Sequence, residues 1–273
     1  MFEAVLQMFS YPFMVRAFAV GIPVGVCAAL LGVSLCLGNL SMIGDGLSHV
    51  AFGAMAVALV MNAAPVEVAI PVVIVAAFLL CHARGKGRGD AAIAVVSCGA
   101  LALGVMAISL SPGTNVDLNA YLFGSILAID RSDALLSLVL SGVVLVLYVL
   151  FYNRIFAVTF DENFARASGA RAELHTFLIS ALTAVIVVLG MRLMGAMLIS
   201  GLLIIPAVCA MRVCRSFKGV VAVSAGVAAL SVSGGVVSSY ALSTPAGSSI
   251  VCAGLVLLGI FWLAGLISRR IRK

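Results

Sequence analysis

Two ionisable side chains sit four residues apart in a run that otherwise excludes charge. They are Asp45 and His49, in Met42-Ile43-Gly44-Asp45-Gly46-Leu47-Ser48-His49-Val50. Four residues is a little over one helical turn, so on a helix the carboxylate and the imidazole share a face. Ionisable groups at membrane depth are costly, and the default reading of such groups is functional. A carboxylate oxygen with an imidazole nitrogen is a mixed donor set suited to Zn²⁺, Mn²⁺ or Fe²⁺. The pair therefore reads as a point on the path of a transition-metal ion. Two blander readings compete: Asp45 as an N-cap or first-turn acid favoured by the helix dipole, and His49 as a satisfied packing histidine. Two ligands are also fewer than the four or more a metal takes. Water, backbone or a second copy of the chain across a symmetry axis has to supply the rest.

A second stretch, Thr159-Phe160-Asp161-Glu162-Asn163-Phe164-Ala165-Arg166-Ala167-Ser168-Gly169, carries a different signal. Thr159 and Glu162 have capping-box spacing, Asp161 and Glu162 suit a helix N-terminus, and Gly169 is a natural stop. Phe160, Phe164 and Ala167 fall on one face. The spacing predicts a short amphipathic helix that needs something to dock against. One reading lays it on lipid; the other inserts it into a groove on a cytoplasmic ATPase. Mixed charge without a lysine-rich face favours the protein partner.

The elements that must position these residues are membrane helices. Hydrophobic residues make up 64% of the 273-residue chain and charged residues only 10%, against roughly 45–50% and about 25% in soluble domains. Apolar runs near 20 residues, broken by short polar turns, predict an all-α, polytopic membrane protein forming one transmembrane domain over 1–273. The formal charge of +6 is not a nucleic-acid signal, because the basic residues lie in loops where they orient a membrane protein. Seven cysteines are scattered without a CxxC and read as small hydrophobes. The N-terminus lacks a basic segment followed by an A-x-A site, so no removable signal peptide is expected.

Spans are expected at about 16–38, 45–62, 66–82, 91–110, 134–152, 175–191, 195–211, 219–241 and 248–268. The segment 118–129 is too short to cross about 30 Å of hydrocarbon and reads as re-entrant or oblique. Met191-Arg192-Leu193-Met194 reads as a tight turn between antiparallel neighbours. Placing 83–90, 153–174, 212–218 and the tail in the cytoplasm puts thirteen of the sixteen Lys and Arg inside, and leaves only Arg16, Arg131 and Arg192 outside. Nine crossings with the N-terminus outside satisfies the parity; eight or ten are the alternatives. Small residues at Ala196 and Ser200, and at Ser231 and Gly235, suit close helix approach. GKGRGD lacks the order of a P-loop, so the chain carries no nucleotide site of its own.

Together, Met42 to His49, Tyr121 to Leu127, Phe160 to Gly169 and Met194 to Ala207 resemble the permease of the ABC-3 family, the zinc, manganese and iron ABC importers. Gly46 and Val50 depart from that family's usual I-G-D-A-L-S-H-A without touching the candidate ligands. The resemblance implies a dimeric, multi-pass permease of the bacterial plasma (inner) membrane, made from two copies or from a paralogue pair. It implies delivery of the ion by an extracytoplasmic metal-binding protein and drive from a pair of separate ATP-binding subunits. The family's intramembrane aspartate and histidine map onto Asp45 and His49. Its ATPase-docking segment maps onto 153–174, with Phe160, Asp161, Glu162, Phe164, Arg166 and Gly169. No enzyme activity and no permanently bound cofactor are implied for this chain; Zn, Mn or Fe is cargo. Other readings of the residues are an importer of a metal chelate, a proton- or sodium-coupled carrier, or an intramembrane enzyme with Asp45 and His49 as acid and base.

Overall fold

The computed structural model describes residue 8 and residues 10–85, 89–111, 118–125, 130–161, 165–166 and 172–271, and every described element is helical. In chain order the helices are α1 (Pro12–Leu37), α2 (Ser41–Val60), α3 (Pro65–Gly85), α4 (Gly89–Leu110), α5 (Leu118–Phe123), α6 (Arg131–Leu150), α7 (Tyr152–Phe160), α8 (Ala172–Met194), α9 (Ile199–Val213), α10 (Phe217–Leu242) and α11 (Ala246–Ile271). Eight of them, all but α5, α7 and α9, are long and apolar enough to cross a membrane.

The sequence sets most boundaries. Pro12 opens α1, where its missing N–H costs nothing. Asn39 and Asn62 take the left-handed conformation in the turns after α1 and α2 (φ 55° and 53°), a region asparagine tolerates better than most residues. The core helices are α1, α2 and α8, which are mostly buried, whereas α3, α4, α6 and α11 form the rim. α2 lies flush on α4 because both carry glycine at the crossing. A Cβ on Gly104 would stand 2.9 Å from the Cα of Gly53, and one on Gly53 would meet the Ala100 carbonyl.

Two expectations need correction. Residues 191–194 are not a turn: α8 continues through them, and the chain turns at 195–198, where Gly195 has φ +85°. The segment expected to span 195–211 becomes helical only at Ile199 and is 15 residues long, about 22 Å. It still carries the chain from one end of the bundle to the other. α8 finishes beside the start of α6, through Arg192 and Asp133, and α10 starts with Phe217 among the rings of α7. α9 packs chiefly on α1, α10 and α11, more than on α8.

The missing length is supplied by a buried turn. Gly195 and Ala196 lie inside the bundle, where the Ala196 and Met197 N–H groups donate to the Tyr121 and Leu122 carbonyls of α5 at 3.0 and 3.3 Å. Non-helical backbone at membrane depth survives only with such protein partners. The six-residue α5 does not span, as its length predicts.

Arg192 and Asp133 meet at 2.6 Å with most of each side chain covered (18% and 25% exposed). Breaking a covered pair strands one charge. Arg192→Leu therefore lowers stability by about 1–3 kcal/mol, between the values for exposed and buried pairs. The double variant D133L/R192L recovers most of that loss, as read by thermal unfolding in detergent.

Candidate metal site and coupling segment

α2 begins at Ser41 with Leu40 as its N-cap, and no acid lies in its first turn. Asp45 is thus neither cap nor first-turn residue, which removes the simplest structural role for it. It sits about 6 Å, and His49 about 12 Å, along a helix about 30 Å long. His49 Nε2 stands 3.7 Å from Asp45 Oδ2, with the imidazole 16% and the carboxylate 38% exposed. Two donors about 2.1 Å from one tetrahedral metal ion are about 3.4 Å apart. The observed separation needs only a small side-chain adjustment to grip an ion.

The neighbours of α2 fix where this face points. Gly44 abuts Leu203 of α9, and Gly46 abuts Ile93 and Ser97 of α4. Successive helical residues are about 100° apart, so Asp45 points between those two contacts. Met42, 57% exposed, lies on the same side one turn earlier. His49 Nδ1 is buried with no hydrogen-bond partner among the described residues. A packing histidine uses that nitrogen, because leaving it unmet costs about 1–3 kcal/mol. Ser48 donates its hydroxyl to the Asp45 carbonyl at 2.7 Å, so it is committed to backbone. Among the described residues no third His, Cys, Asp or Glu joins the pair. The other histidines lie elsewhere, His82 stacked on Phe78 and His175 buried edge-on to Phe151.

In the coupling segment the expected helix start is displaced. Thr159 belongs to the last turn of α7, and its buried hydroxyl has no partner among the described residues. Asp161 is the junction instead. Its N–H donates to Ala157 and closes α7, while its carbonyl accepts from Ala165 and opens the next turn. The extended backbone of Asp161 (φ −149°, ψ 96°) separates the two, a break the capping-box spacing does not encode. Phe160 is 59% exposed at the end of α7, and Arg166 is exposed and paired with Glu173 at 3.4 Å. Glu162, Phe164 and Gly169 lie outside the described residues.

Sequence reading missed the support under Phe160. Phe156, Phe160 and Phe217 form a triangle of rings with centroids 4.9 to 5.9 Å apart. Only the i, i+4 spacing of the first two was visible in the chain. The Asp133–Arg192 pair was missed for a similar reason: its partners are 59 residues apart.

The model of the ABC 3 transport family matches residues 10–264. The chain belongs to that family. This ABC 3 chain is 28% identical over 265 residues to the manganese import system permease protein ScaB of Streptococcus gordonii, covering 96% of this chain and 95% of the relative. It is 31% identical over 251 residues to the high-affinity zinc uptake system membrane protein ZnuB of Haemophilus influenzae, covering 90% and 95%. A chain in the solved structure of PsaBC from Streptococcus pneumoniae in complex with Fab superposes with a TM-score of 0.86 at 27% identity, covering 95% of this chain and 94% of that one. The ABC 3 fold expected from the motifs is the fold observed.

Proposed function

We propose that this chain is the permease subunit of an ATP-driven importer of a divalent transition-metal ion, Zn, Mn or Fe, in a bacterial plasma membrane. Asp45 and His49 ligate the ion on its way through. The observation that carries this reading is the geometry of that pair. An acid beyond the helix start and an imidazole with an unmet ring nitrogen face each other in an apolar helix, at a separation close to a metal's bite. The names of the two relatives supply manganese and zinc as cargo, and both metals accept a mixed oxygen and nitrogen set. A carboxylate left 38% exposed on a membrane helix needs cover other than lipid. A second permease copy against this face of α2 provides cover and further ligands at once. Drive comes from a pair of ATP-binding subunits docked at the lysine- and arginine-rich end, and an extracytoplasmic metal-binding protein delivers the ion.

The test is uptake of radioactive manganese and zinc by cells whose own importers are deleted and which express this chain with its ATPase and binding protein. Uptake is expected only with a hydrolysis-competent ATPase. Free-ion uptake without the ATPase, or uptake of a chelate alone, overturns the reading. At the docking end Phe160 is the exposed aromatic anchor, and such anchors contribute about 2 kcal/mol or more to an interface. Phe160→Glu is therefore expected to cut co-purification of the ATPase roughly tenfold or more. Full yield from that variant would remove Phe160 from the interface.

A further inference from the structure

The face of α2 that carries Asp45 and His49 carries one more side chain with electrons to donate. Met42, Asp45 and His49 stand at i, i+3 and i+7, within about 60° of one another around the helix. α2 is a core helix, and Met42 and Val57 are its only exposed residues. Met42 is the more open of the two, and its thioether is a soft, polarisable donor. Side chains lean toward the N-terminal end of their helix, so the Asp45 carboxylate approaches Met42 as the His49 imidazole approaches Asp45. Met42 is the second residue of α2, after Ser41. No preceding helical turn blocks the rotamer that swings a side chain forward. Positions three apart on a helix have Cβ atoms about 5–6 Å apart, and three rotatable bonds let the sulfur cover that gap. Asn39 and Leu40, just ahead of α2, share a pocket with Phe160 of α7, which puts Met42 toward the lysine- and arginine-rich end. An ion moving inward therefore meets His49, then Asp45, then Met42.

We propose that the Met42 thioether is a third donor to the ion, on the cytoplasmic side of the Asp45–His49 pair, and that it raises the preference of this permease for zinc over manganese. This role rests on the reading of Asp45 and His49 as ligands, and adds a choice among the cargoes. Carboxylate and imidazole serve both metals, whereas thioether sulfur suits Zn²⁺ and is a poor partner for Mn²⁺, which favours oxygen. A neutral donor also adds affinity without adding charge, so an ion that reaches it still leaves toward the cytoplasm. Packing against lipid or a second copy does not call for sulfur. Leucine fills nearly the same volume, and exchange of the two is among the best tolerated of apolar swaps.

The test compares Met42→Leu and Met42→Gln with the parent in the assembled transporter. Two quantities are read: the KM for uptake of radioactive zinc and manganese, and the zinc-edge X-ray absorption spectrum of the zinc-loaded complex in detergent. Met42→Leu is expected to raise the zinc KM roughly tenfold, the lower end of the loss when a metal site is deprived of a supporting group, and to leave the manganese KM unchanged. Met42→Gln puts an oxygen donor of similar length in place of sulfur and is expected to shift the preference toward manganese. The parent spectrum is expected to show a sulfur neighbour that Met42→Leu removes. A sulfur signal retained in Met42→Leu belongs to a cysteine and overturns the proposal. An unchanged zinc-to-manganese ratio in that variant, or an equal rise in both KM values, also overturns it, with Asp45 and His49 still standing as ligands. So does a parent that takes up manganese and no zinc. If Asp45→Asn leaves uptake of both metals intact, the ion path itself falls, and the role of Met42 with it.

Discussion

Asp45→Asn is expected to abolish metal uptake while leaving the chain in the membrane at its normal level. The substitution keeps the shape of the side chain and removes the anionic donor. Loss of even an outer-shell partner costs a metal site roughly 10–100-fold, so loss of a ligand from a two-ligand half-site reduces uptake by on the order of 100-fold or more. His49→Gln is expected to do the same, because the imidazole Nε2 faces the same point, 3.7 Å from the carboxylate. The double variant D45N/H49Q should be no worse than either single one, since residues that act as a unit do not add. Uptake of manganese and zinc at the parental rate in both single variants would sink the ligand assignment. Membership of the ABC 3 family and the helical architecture would be untouched.

The largest expected effect on stability lies at the buried turn. Gly124 and Gly195 have φ of +82° and +85°, and each packs its Cα against the other segment's backbone. A Cβ on Gly195 would strike the Leu122 carbonyl, and one on Gly124 would strike that of Leu193. Gly195→Ala meets two penalties: about 1–2 kcal/mol for an L-residue in the left-handed region, and about 1–3 kcal/mol for overpacking where backbone has to give way. A loss of about 2–5 kcal/mol follows, a large share of a domain's total stability. Gly142→Ala is the control, because nothing lies within 4 Å of its added Cβ and helix propensity favours alanine by about 1 kcal/mol. Thermal unfolding in detergent should separate the two clearly. A Gly195→Ala protein as stable as the parent would mean that the turn relaxes freely.

Much of this architecture is legible from residue order alone. Hydrophobic runs, the short polar breaks between them and the shortness of 118–129 each predict what is found, because a bilayer leaves few ways to satisfy a backbone. The errors occur where a local signal competes with a distant contact. Met191 to Met194 reads locally as a turn, yet Arg192 stays helical with its guanidinium held by Asp133, and the chain bends at the next glycine. Thr159 and Glu162 have capping spacing, but α7 runs on from Tyr152 through Phe160, whose ring packs edge-on against Phe217 of another helix, so the break falls at Asp161. At Asp45 and His49 the helix and the shared face were predictable from four-residue spacing. The unmet Nδ1 and the direction of the face were not, since they depend on how α4 and α9 flank α2.

The shortness of α9 has a bearing on the wall it belongs to. Over about the outer quarter of a crossing of about 30 Å that wall has no helix of its own, and it is closed by the 195–198 turn through two peptide hydrogen bonds to α5 and the close backbone packing of Gly124, Gly195 and Gly247. Side chains interlocked along a full-length helix yield only together. Here the hold is backbone on backbone, two amide links together with glycines set against neighbouring carbonyls, with no side chain to take up a shift. Any parting of the outer face along this wall therefore has to break the seam between Tyr121 and Met197 as a unit.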